Sequence, residues 1–110
     1  MNGPEGQDDV AKWQREAGRA LNRRDYRLAH ELCIRILTRR PESADAFFLL
    51  AMIAAAHDNF PKAAELIERA LALDAANAEY HAQLGRCLIA LQRPREAFEA
   101  AVRALSLGPR

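Results

Sequence analysis

Residues 45–73 read DAFFLLAMIAAAHDNFPKAAELIERALAL, and this stretch decides the fold. From Asp45 to His57 nothing breaks a helix, and alanine, leucine and phenylalanine dominate. Asp58-Asn59-Phe60-Pro61 reads as a turn, and Pro61 suits the first turn of a second helix, Lys62 to Leu73. Asp74 and its neighbours close that helix. Two short helices joined by a tight turn form the unit, and the rest of the chain repeats it.

Displaced against itself by 34 residues, the chain divides without a gap into Val10–Ser43, Ala44–Asn77 and Ala78–Arg110. Four columns are identical in all three copies: Ala29/Ala63/Ala97, Glu31/Glu65/Glu99, Arg35/Arg69/Arg103 and Leu37/Leu71/Leu105. Chance would supply about half a column, so the period is real. Other columns agree in type, among them Trp13/Phe47/His81 and Ala17/Ala51/Gly85. Arg23-Arg24-Asp25 is the turn of copy one and Arg40-Pro41 its stop; Pro94 opens the last helix of copy three and Gly108-Pro109 stops it.

The columns explain why the helices pair. Ala17/Ala51/Gly85 on the first helix and Ala29/Ala63/Ala97 on the second are small, which permits a close crossing flanked by Trp13, Phe47, Leu50 and Leu84. Glu31–Arg35, Glu65–Arg69 and Glu99–Arg103 have i, i+4 spacing, and as ion pairs on the solvated face each contributes about 0.2–0.5 kcal/mol.

Composition narrows the function classes. Of 110 residues, 50% are hydrophobic and the formal charge is +1, which gives no reason to expect nucleic acid or an anionic membrane as partner. No apolar run approaches the roughly 18 residues of a membrane span. Residues 1–9 are polar and acidic, unlike a secretory signal, and read as a flexible leader before a single domain over residues 10–110; the expected setting is cytoplasmic. Cys33 and Cys87 have no metal-ligand or disulfide-scaffold spacing and read as reduced, buried thiols. His30, His57 and His81 fall in different columns and form no catalytic spacing. No catalytic residue, cofactor or metal is assigned, and the chain reads as a non-enzyme.

The repeat resembles the tetratricopeptide repeat family, whose pattern is W-x2-L-G-x2-Y, then A-x3-F, then A and P. Copy three offers His81, Leu84, Gly85, Leu88, Ala97, Ala101, Ala104 and Pro109 at those places. Copy two offers Phe47, Leu50, Ala51, Ala54, Ala63, Ile67, Ala70 and Ala75, and copy one Trp13, Glu16, Ala17, Ala20, Ala29, Cys33, Ile36 and Pro41. The tyrosine column is absent, and Glu16 replaces the usual leucine. The resemblance implies an all-α, right-handed superhelical solenoid of three helix-turn-helix repeats whose first helices line a concave groove for a peptide or helix of another protein. Carried over position by position, the groove comprises Gln14, Arg15, Gly18 and Leu21 in copy one, Asp45, Phe48, Leu49, Met52 and Ala55 in copy two, and Glu79, Ala82, Gln83, Arg86 and Ile89 in copy three; the binding residues expected among them are Gln14, Arg15, Phe48, Leu49, Met52, Gln83, Arg86 and Ile89. Phe48 and Leu49 read equally as packing between repeats. The residues with which some members grip a chaperone's C-terminal carboxylate are absent: Gln14, Gly18, Leu49, Glu79 and Gln83 stand there.

The two ends differ. The opening helix is polar enough to cap a solenoid, whereas Phe98, Val102 and Leu105 make the closing helix apolar outward. Either a downstream segment or a second copy covers that face. The expected function is a protein-binding scaffold; the alternatives are the N-terminal regulatory segment of a larger bacterial enzyme, for example a sulfotransferase-like one, and a secretion chaperone.

Overall fold

In the computed structural model, which describes residues 5–108, the backbone at Arg24, Asp58 and Gln92 is left-handed, with φ of 66°, 60° and 60°. These residues stand one repeat apart and end the first helix of each copy. The six helices are α1 (Glu5–Asn22), α2 (Tyr26–Arg39), α3 (Ala44–Ala56), α4 (Phe60–Leu73), α5 (Ala78–Ala90) and α6 (Pro94–Leu107), with no strand among the described residues. At each turn the left-handed residue's N–H returns to the first helix, Arg24 to Leu21, Asp58 to Ala55 and Gln92 to Ile89, each at 2.9 Å. The next N–H reaches one residue further back, Asp25 to Ala20 at 2.8 Å and Asn59 to Ala54 and Arg93 to Leu88 at 2.9 Å. This paired closure satisfies carbonyls that a helix end leaves open, and it reverses the chain in very few residues.

Side chains start the next helices. The Asp25 carboxylate accepts from the Leu28 N–H at 3.2 Å and the Asn59 amide oxygen from the Lys62 N–H at 3.3 Å; Arg93 makes no such bond. Between repeats, Ser43 and Asn77 cap α3 and α5 by accepting from the N–H groups of Ala46 and Tyr80, both at 3.2 Å.

Two boundaries depart from the sequence expectation. Phe60 and Pro61 lie inside α4, because Asn59 already caps it. Helix α1 begins at Glu5, ahead of the Val10 boundary read from the repeat. In copies two and three the column of Asp9 is the N-cap, held extended at ψ 103° and 109° by the turn before it. Residues 5–9 contain no proline, and buried Val10 anchors the helix, so it propagates backward. Residues 1–4 of the expected leader, and Pro109 of the expected stop, lie outside the described residues.

The small columns do what their spacing predicts. Ala17, Ala29, Ala51 and Ala63 are fully buried, and Ala97 nearly so. A methyl group built on Gly85 would stand 3.4 Å from the Ala97 carbonyl oxygen and 3.7 Å from the Ala100 Cβ, which measures how near α5 and α6 come. The expected Glu–Arg pairs do not form. Glu31 instead meets Arg27 at 3.7 Å, and no ion pair joins Glu65 to Arg69 or Glu99 to Arg103 among the described residues. Arg35 lies over the Trp13 ring at 5.3 Å and Arg69 over Phe47 at 5.4 Å. The face of an aromatic ring competes for a guanidinium that water already screens from its carboxylate.

Each hairpin packs on the next. The central core joins Ala51, Ala63, Ala64, Leu66, Ile67 and Ala70 of α3 and α4 to Tyr80 and Cys87 of α5. A second cluster joins Val10, Ala17, Leu32, Cys33 and Ile36 to Ala46. The result measures 52 × 27 × 23 Å with a radius of gyration of 14.6 Å. A compact chain of this length has a radius near 13 Å, so this is an elongated stack.

Candidate protein-docking surface

The eight residues expected along the first helices fall into three settings. Phe48 stacks on Tyr80 with ring centroids 4.6 Å apart and planes at 27°. Phe48 and Met52 pack against the central core, and Leu49 against the first cluster. All three are half-buried and carry the contact between hairpins. Gln14 lines a polar cleft of about 330 Å³ together with Arg40, Glu42, Asp45, Asp74 and Tyr80, while Arg15 is exposed on α1. Gln83 donates to Glu79 at 3.2 Å.

Arg86 and Ile89 form the third setting. With Ala82 and Gly85 of α5 and Pro94, Ala97, Phe98 and Ala101 of α6 they line an apolar groove of about 470 Å³. The structure thus brings three of the expected groove positions, Ala82, Arg86 and Ile89, together with Phe98 of the expected docking end. Val102 and Leu105 continue along α6 beyond the groove, both exposed. Ala82 was also an expected groove position, whereas Gly85, Pro94, Ala97 and Ala101 were not singled out from the sequence as contact residues. Their signal was there: moved back one repeat, the eight lining residues become Phe48, Ala51, Met52, Ala55, Phe60, Ala63, Ala64 and Ile67, and every one of these packs in the central core. The groove repeats, uncovered, a surface that in copy two is covered by α5.

Tyr80 is the other residue that column reading passed over. It is buried, its hydroxyl donates to Asp45 Oδ1 at 2.7 Å, and it ties α5 to the start of α3. Burial first, then that hydrogen bond and the nearby Asp45 and Asp74 charges, push its pKa well above the ordinary tyrosine range. A depression of about 610 Å³ on the outer side lies between Trp13, His30, Glu31, Ile34, Arg35, Thr38 and Arg39, where two guanidinium groups flank the indole.

The groups capable of chemistry are in structural roles. Burial pushes the Cys33 thiol up to about 12 and raises Cys87 as well, so neither is a thiolate near neutral pH. His57 Nδ1 is 2.9 Å from the Ile53 carbonyl oxygen, with its ring edge-on to Tyr26, and His81 Nε2 is 2.9 Å from that of Ala75. Among the described residues no group of three or more His, Cys, Asp or Glu is placed to hold a metal ion, and no helix is long and apolar enough to cross a membrane.

The tetratricopeptide repeat family profile matches residues 15–78 and again residues 54–110. The chain belongs to the tetratricopeptide repeat family. Domains of this family generally mediate contacts between proteins. Among solved structures, a mutant O-GlcNAc transferase of Thermobaculum terrenum superposes with a TM-score of 0.90 at 29% identity, over 94% of this chain and 20% of the transferase. A crystal structure of MamA gives 0.81 at 21% identity, over 91% of this chain and 58% of MamA. MamA of Desulfovibrio magneticus RS-1 gives 0.78 at 23% identity, over 88% and 55%. This tetratricopeptide chain therefore spans a fifth of the transferase and a little over half of the MamA chains, whose likeness shows the fold alone. No curated protein sequence matches the chain.

Proposed function

We propose that this tetratricopeptide chain is a non-catalytic scaffold that binds a helix or peptide of a protein partner, and that the α5–α6 groove is where the partner docks. The observation that carries this reading is the register of that groove. Its lining occupies the columns on which the chain seats one of its own helices in the preceding repeat. Small residues on the floor let a helix approach closely, and Ile89, Phe98 and Arg86 stand around it as apolar and charged anchors. The half-buried Phe48, Leu49 and Met52 serve this surface indirectly, by holding the hairpins in line.

The test is affinity capture from the native host with Ile89→Glu beside the wild type. Ile89 is exposed, so the variant is expected to melt as the wild type does. A partner that the wild type retains and Ile89→Glu loses supports the reading; equal retention by both removes the groove from it.

A second reading is favoured by one observation. The transferase superposes on nearly the whole of this chain and has four fifths of its own length left over, so repeats of this kind occur within an enzyme. As a regulatory segment of a larger enzyme, this chain would present the same groove to its own downstream domain. The reading frame beyond Arg110 decides: several hundred further residues favour the enzyme segment, and a stop codon the adaptor.

A further inference from the structure

The second helices of the three hairpins differ in charge. Helix α2 carries Arg27, Arg35 and Arg39 against one carboxylate, Glu31. In α4, Lys62 and Arg69 are matched by Glu65 and Glu68, and in α6, Arg95 and Arg103 by Glu96 and Glu99. Excess positive charge on these helices is therefore confined to α2. Its one carboxylate is already taken, since Glu31 lies 3.7 Å from Arg27. Arg35 and Arg39 make no ion pair among the described residues.

Both of these guanidinium groups are held in place. Each lies 5.3 Å from the centre of the Trp13 ring, in the outer depression of about 610 Å³. The packing of a hairpin does not require both. Copy two sets a single guanidinium, that of Arg69, over Phe47, and Leu73 stands in the column of Arg39. Ile34 departs from the repeat in the same way. It is 47% exposed within the depression, where copy two has the exposed Glu68. The depression thus holds two additions that the second hairpin folds without, a further cation and a wet apolar side chain.

We infer that this depression binds an acidic segment of a partner protein, with carboxylates on Arg35 and Arg39 and a neighbouring apolar side chain on Ile34. The site is separate from the α5–α6 groove and does not depend on it. A guanidinium laid against a ring keeps N–H donors at its edge, and its planar fork matches a carboxylate. Stacking also fixes the side chain in advance, so less rotamer freedom is lost when the partner arrives. Charge selects the class of partner, because unneutralised cations beside an apolar side chain are complementary to an acidic peptide that carries an apolar residue. Nucleic acid fits less well. The Trp13 ring already carries two guanidinium groups and is not free to stack a base. Glu65 and Glu68 on α4 repel a polyanion that extends beyond the first hairpin.

Titration of the full chain with a fluorescein-labelled peptide, EELEELEE, tests this by anisotropy. The wild type is expected to bind it, and less tightly as salt is added. Trp13 is the single tryptophan, so its emission should change with the same midpoint. Arg39→Leu and Ile34→Glu install the residues that copy two carries in those columns, and both are expected to melt as the wild type does. Arg39→Leu should raise the dissociation constant about tenfold, and Ile34→Glu should raise it too. Arg95→Leu removes the same charge from an exposed position on α6 and should leave the constant unchanged. Equal weakening by Arg95→Leu would show attraction to overall charge and overturn the site, as would binding that leaves the Trp13 emission unaltered. A wild type that does not bind the peptide overturns the inference outright. A labelled oligothymidylate that binds more tightly than the peptide, and is weakened by Arg39→Leu, overturns the choice of a protein partner in favour of nucleic acid.

Discussion

Gln92 shows most clearly how a single residue is held against its preference. It is left-handed at φ 60° with a Cβ that disfavours that conformation, and Arg24 and Asp58 share the position. Gln92→Gly removes the steric cost while the Gln92-to-Ile89 and Arg93-to-Leu88 backbone bonds stay, so stability should rise by about 0.5–1 kcal/mol, read as a higher urea midpoint at unchanged slope. Cys33 is constrained differently. Its thiol is buried and titrates near 12 instead of near the ordinary 9.0, so the folded state holds the proton that the unfolded chain releases. That contribution is whole below about pH 9 and disappears as pH climbs toward 12. The urea midpoint should fall from about pH 9 upward, and Cys33→Ala should flatten the part of the fall that precedes tyrosine titration. Residue types and columns made both buried thiols legible from the sequence. The sign of φ at Gln92 was not, since glutamine has no left-handed preference and the surrounding turn imposes it.

At the scale of the element, the helical hairpin is governed by how near its two axes come. Gly85 has room for a methyl group at ordinary contact distance, and glycine inside a helix lacks the backbone restriction that alanine supplies. Gly85→Ala should therefore stabilise the third hairpin by about 0.5–1 kcal/mol. Ala63, fully buried at the same crossing in copy two, has no such room; Ala63→Leu should overpack and cost about 1–3 kcal/mol. Thermal melts of the two variants are expected to move in opposite directions, and a shared direction would mean the crossing is misplaced. These small columns were readable from their spacing. The invariant Glu–Arg column misled for a physical reason: on an exposed helix face an i, i+4 carboxylate is a weak partner, and Trp13 and Phe47, distant in sequence, are brought beneath the guanidinium groups by folding.

Across the whole molecule, stability is passed from hairpin to hairpin, and Tyr80 joins the second to the third. It stacks on Phe48 and bonds Asp45 across the boundary between repeats. Tyr80→Ala should cost about 3–5 kcal/mol, and the loss should be uneven. Amide hydrogens of α6 should exchange faster while those of α2 keep their protection, because each hairpin of a stack touches only its neighbours. Uniform loss of protection would show a single cooperative unit instead. The same linear architecture is why the ends matter: a stack has two terminal faces, and here one is charged and the other apolar.

The repeat period, the small crossing columns, the prolines at helix starts and the apolar closing helix were all present in the order of the residues, because each is a local or strictly periodic property. The structure alone decided that Phe48, Leu49 and Met52 join hairpins, that α1 runs on to Glu5, and that Arg86 and Ile89 meet Phe98 in one groove. Those outcomes depend on which side chains from different helices arrive at the same place. Spacing along one helix names the residues that share a face, but the packing of neighbouring helices determines whether that face is covered.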